Sequence, residues 1–117
     1  MTDDTQQILE ELFDEAMRKV LIDAGKSFIN YLRTLSPSDG MPYKTGRLQR
    51  GIVETERDLE NFVLFIESVG SSPGSNVDYP AILDGRPGKW FGWWDNLITG
   101  NEPVWARFVE EAGSRYL

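Results

Sequence analysis

The chain has 117 residues, with 12 Lys and Arg against 19 Asp and Glu and a formal charge of −7. That length suits one domain with its own core, and the acidic balance excludes a nucleic-acid clamp, which needs a basic footprint. Neither cysteine nor histidine occurs, so disulfides, thiolate or imidazole catalysis and the commonest transition-metal ligands are all excluded.

No metal or cofactor is expected. The start, Met-Thr-Asp-Asp, has no basic n-region or apolar core, so no secretory leader is expected. No apolar run approaches the roughly 20 residues that span a bilayer. A soluble protein that does not engage membranes is the expectation.

Residues 5–35 read as one long amphipathic helix. Ile8, Leu12, Ala16, Val20, Ala24, Phe28 and Leu32 recur every fourth position, and Leu9, Phe13, Met17 and Leu21 form the adjacent row. Asp3, Asp4, Glu10, Glu11, Asp14 and Glu15 precede Arg18, Lys19, Lys26 and Arg33, the order that a helix dipole favours. Gly25 interrupts the pattern, as a close approach to a neighbour or as a kink. Such a helix offers more apolar face than the remaining residues easily cover.

Pro37, Gly40 and Pro42 mark a surface loop after it. Gly46 then permits a sharp turn, and Lys44, Arg47 and Arg50 make a local basic patch in an acidic chain. This patch is either a solvated loop or a surface for an acidic partner, such as the helix start of a neighbouring copy.

Residues 52–57 and 62–69 predict a β-hairpin joined through Asp58-Leu59-Glu60-Asn61. In the second strand Phe62, Leu64 and Ile66 fall on one face, and Val63, Phe65 and Val69 on the other. A strand apolar on both faces needs cover on both. The long helix can supply one side; the C-terminal segment or another subunit must supply the other. Residues 70–76 read as a flexible loop.

Residues 76–94 gather three of the four tryptophans with Gly85, Pro87, Gly88 and Gly92. This stretch must turn repeatedly while burying large rings. The tryptophans read as part core and part contact surface, with Trp90 assigned to folding and Trp94 to assembly. Residues 96–102 read as a further turn. Pro103 then opens a terminal helix with Trp105, Phe108, Val109 and Ala112 on one face.

The fold class expected is α+β: a long N-terminal helix packed on a small antiparallel sheet, a short aromatic-rich element and a C-terminal helix, in a single domain spanning 1–117. Catalysis would have to rest on carboxylates such as Asp78, Asp84 and Asp95. They show no catalytic spacing, and acids near turns are usually solvated or capping. Exposed indoles also admit a small carbohydrate- or peptide-binding module.

Thr45-Gly46-Arg47-Leu48, a hairpin, then Val77-Asp78-Tyr79-Pro80-Ala81-Ile82-Leu83-Asp84-Gly85 and a last helix form an ordered series. In that order they resemble the minor tail-component, or tail-completion (neck), proteins of long-tailed bacteriophages. Thr45, Gly46 and Leu48 match that family's turn before the first strand. Tyr79, Ala81 and Gly85 approximate its second motif, with Pro80 inserted. Residues 86–91 form a loose version of its Pro-aromatic segment.

The resemblance implies a structural virion protein, made in the host cytoplasm, with no catalytic, cofactor-binding or metal-binding residues. Thr45, Gly46, Leu48, Tyr79, Ala81, Gly85, Trp90 and Trp94 become its structural and interface positions. Copies would form a ring, a hexamer, between the head connector or portal side and the tail tube. DNA would pass through the lumen without sequence-specific binding. The tail-terminator proteins of the tail tube share a comparable α+β build and stand as the alternative.

Overall fold

A computed structural model describes residues 3–42, 51–68, 84–85 and 88–117. In chain order its main elements are α1 (Asp3–Leu32), β1 (Ile52–Asp58), β2 (Val63–Ser68), α2 (Trp93–Gly100) and α3 (Glu102–Tyr116). The protein is α+β and mostly helical, with a long N-terminal helix, a two-stranded antiparallel sheet and a C-terminal helix.

The long helix forms as its periodicity predicts but stops earlier than residue 35. Thr34 N donates to Tyr31 O at 3.0 Å and Leu35 N to Leu32 O at 3.2 Å, the tighter bonds of a closing turn. Ser36 is extended (φ −104°, ψ 172°), as a residue before proline must be. A 3₁₀ turn, Pro37–Asp39, follows, and Gly40 closes it at φ 94°.

The Asp39 carboxylate accepts from the Ser36 amide at 3.0 Å and from the Ser36 hydroxyl at 2.9 Å. These bonds hold its carboxyl below the usual value of 3.8. The loop is not wholly a surface feature: Met41 is 0 % exposed and Pro42 is buried.

β1 and β2 pair antiparallel from Ile52↔Ser68 to Asp58↔Val63, with a bulge between Glu54 and Glu56. The connection is tighter than a plain loop, being a 3₁₀ turn Leu59–Asn61. Phe62, expected inside the second strand, instead ends this turn in the left-handed region at φ 55°. Its amide donates to Leu59 O at 3.3 Å, which takes it out of the ladder. Leu64 and Ile66 are half-buried, while Val63 and Phe65 on the opposite face are exposed. Val69 and the basic positions Lys44, Arg47 and Arg50 lie outside the described residues, as does the 70–76 loop.

Residues 96–102 are not a turn. They begin inside α2, because Trp93 and Leu97 stand one helical turn apart and are both 3 % exposed. Only Asn101 breaks the run before α3, where Pro103 occupies the first turn as expected.

The main core joins Phe28, Ile29, Leu32 and Leu35 to Met41, Ile52, Trp93 and Leu97. A second cluster joins Val20 and Ala24 to Ala112. The helix α3 runs back along α1. Phe28 meets Trp105 edge-on at 5.5 Å, Tyr31 meets Phe108 at 6.1 Å, and the Tyr116 hydroxyl donates to Asp23 at 2.7 Å.

On the other side α1 meets the hairpin. Arg18 Nε donates to Leu59 O at 3.0 Å and Arg33 Nε to Ile52 O at 2.9 Å. Gly25 lies between these two anchors, and a Cβ there would stand 2.5 Å from Leu64 Cδ1. The glycine therefore marks a close approach inside a continuous helix, not a kink.

Gly25 gives a sharp test of this contact. Alanine gains about 1 kcal/mol of helix propensity and needs only one flexible methyl of Leu64 to move. Gly25→Ala should therefore change stability in urea by less than about 1 kcal/mol, whereas Gly25→Leu should cost about 1–3 kcal/mol by overpacking. Equal losses for both would mean that Leu64 cannot yield.

Candidate functional site

Two regions compete for a functional role: the tryptophan-rich stretch and the N-terminal end of α1. The first is organised by Asp84. Its carbonyl accepts from the Gly92 amide at 2.9 Å, and its Oδ1 accepts from the Trp94 amide at 3.0 Å. Gly92 adopts φ 68° and starts α2, so the carboxylate of Asp84 sits on that helix's free amides and positive dipole end. That is a capping role, with Oδ1 already engaged. Asp95 is exposed in the first turn of α2, and Asp78 lies outside the described residues. Among the described residues no three carboxylates converge as a metal site would require.

The rings divide unevenly. Trp93 is 3 % exposed and packs edge-on against Trp94 at 5.5 Å. Trp90 and Trp94 are both half-buried against the main core, and Lys89 Nζ sits 4.9 Å from the Trp90 ring centre. Phe91 is the ring left open to solvent. An open hollow of about 300 Å³ lies beside Trp90 and Phe91, under Tyr31 and Gly40. The spacing of Trp93 and Leu97 after a glycine was the available signal for the buried ring.

Of the other predicted positions, Gly85 is exposed, with nothing within 4 Å of where a Cβ would stand. Thr45, Gly46, Leu48, Tyr79 and Ala81 lie outside the described residues.

The second region comes from a mismatch of lengths. The helix α1 has 30 residues and α3 has 15. The α3 end reaches Asp23 through Tyr116, and the hairpin turn reaches Arg18 through Leu59. Both partners stop near the same level. Residues 4–13 are exposed throughout, and Gln6 bonds to Glu10 and Gln7 to Glu11 along the helix itself. The molecule is accordingly elongated, 60 × 28 × 21 Å, with a radius of gyration of 17.7 Å, where a compact chain of this length gives about 13 Å.

This arm is strongly two-sided. Ile8, Leu9, Leu12 and Phe13 are each more than half exposed, and four-residue steps lead from Leu12 through Ala16 to Val20 and Ala24 of the α3 contact. The acids Asp4, Glu10, Glu11, Asp14 and Glu15 fall on the opposite side. The apolar row thus runs past the end of the helix that covers it. Phe62, Val63 and Phe65 form a further exposed apolar strip on the hairpin. Exposed apolar side chains in such a row make a candidate contact surface.

The chain matches no protein-family model, no curated protein and no solved structure. No described helix is long and apolar enough to cross a membrane.

Two outcomes test this division between core and surface. Trp93→Ala should cost about 3–5 kcal/mol in chemical denaturation, as loss of a buried ring does, and Phe91→Ala less than about 0.5 kcal/mol. Leu12→Glu should leave the stability of the isolated chain within about 0.5 kcal/mol, while Val20→Glu, on the same side of the helix, should abolish cooperative unfolding.

Proposed function

We propose that this protein is a structural component of a tailed bacteriophage. Its copies form a ring, a hexamer, at the head–tail interface, completing the tail on the connector side while DNA passes through the lumen. Two features support the reading. The motifs around Thr45 and Tyr79 flank the hairpin in the order found in tail-completion proteins. The order of elements, from long helix to hairpin to terminal helix, agrees with the same series.

The observation that carries it is the projecting arm. Its four large apolar side chains, Ile8, Leu9, Leu12 and Phe13, are exposed and belong to neither core cluster. Such a surface suits a subunit that completes its burial in an assembly. An overall charge of −7 suits a conduit that must release DNA rather than grip it.

The test is a phage in which this reading frame is interrupted. Electron microscopy of the lysate should show filled heads and finished tails that have not joined. Normal infectious virions without the protein would overturn the reading. Tails of uncontrolled length would instead assign it to the end of the tail tube.

A further inference from the structure

Resting on the assembly reading above, we infer that the arm of one copy docks, apolar side down, into the groove between α1, β2 and α3 of a second copy. The joint is head-to-tail. The groove has a volume of about 500 Å³ and is floored by Phe28, Leu64, Ile66 and Trp105, with Val63 at its edge.

Three observations select this occupant. First, the arm cannot reach its own groove. The helix α1 is unbroken from Asp3 to Leu32, and its one glycine is pinned beneath Leu64. A groove filled by the arm therefore belongs to another chain.

Second, charge disfavours pairing of arms. Residues 3–15 hold six carboxylates and no cation; all twelve Lys and Arg lie from Arg18 onward, against thirteen carboxylates. Two arms side by side would place twelve carboxylates together, whereas the rest of the chain is close to neutral in total.

Third, the groove offers a cation at one end. The Arg18 guanidinium lies 5.2 Å from the centre of the Phe62 ring that lines the groove there. Arg18 stands beside the groove rather than in its wall, and Glu102 is the one charged side chain among the described residues that line it. The acids flanking the arm's apolar row would meet Arg18.

A contact between two different surfaces of the same chain either closes into a ring or propagates. The arm and the groove occupy separate parts of each copy, so every subunit can give and receive one contact.

The absence of cysteine makes a direct test clean. Leu12→Cys and Val63→Cys proteins are mixed in equal amounts and treated with a short bismaleimide. The mixture should yield at least tenfold more cross-linked dimer than either variant alone or than a mixture using Thr55→Cys, which is exposed on the hairpin.

Self-linking of Leu12→Cys to the same extent would mean that arms pair with each other, and would overturn the inference. So would a mixed yield no higher than the Thr55→Cys control. A Val63→Cys thiol unreactive in the monomer would also overturn it, since the groove would already be filled.

As an independent measure, Leu12→Glu and Val63→Glu should each sediment as monomers, yet combine when mixed into a 1:1 dimer that grows no further. A strong mixed cross-link in a protein absent from virions would leave the joint standing and remove the phage reading. A protein found in the neck without that cross-link would do the reverse.

Discussion

The contact face of α1 between Arg18 and Leu35 holds the molecule together. On one side it receives α3 through Phe28, Tyr31 and Ala24; on the other it receives the hairpin through Gly25, Arg18 and Arg33. A two-stranded sheet has little stability of its own in water, and helices near 15 residues are marginal when isolated. Both therefore depend on the wall that α1 provides. The same helix then continues past everything that covers it, which is why a short chain reaches 60 Å in its longest dimension.

A helix grows at about 1.5 Å per residue whether or not a neighbour accompanies it. Its apolar row thus emerges from the core into solvent without any change in local structure. Val20 at 2 % exposed and Leu12 at 58 % belong to one continuous apolar surface of one helix. What separates them is only whether α3 is still alongside. This discontinuity in cover leaves the apolar row open to solvent, with the acids on the opposite side.

The aromatic stretch has a different character. Asp84 ties its carbonyl to Gly92 and its carboxylate to Trp94, so this acid organises a helix start. Trp93 is then driven inward with Leu97, and Trp90 and Trp94 lie half-buried around them. The stretch closes the lower end of the core, and the hollow beside Phe91 is a by-product of that closure.

Periodicity alone determined the long helix, the hairpin, the terminal helix and the apolar side of each, because spacings of 3.6 and 2 residues are local properties of the backbone. The row from Ile8 to Leu32 and the face of Trp105, Phe108, Val109 and Ala112 were legible for that reason. Local pattern also showed that α1 carried more apolar surface than the chain could cover. It did not show which end would be bare.

That depended on α3 turning back at Asn101 and ending beside Asp23, and on the hairpin turn stopping at Arg18. Phe62 leaving the strand, Met41 entering the core and Trp93 rather than Trp90 taking the most buried place were likewise decided by tertiary packing. Each follows from contacts between residues far apart in sequence, and no local spacing encodes them.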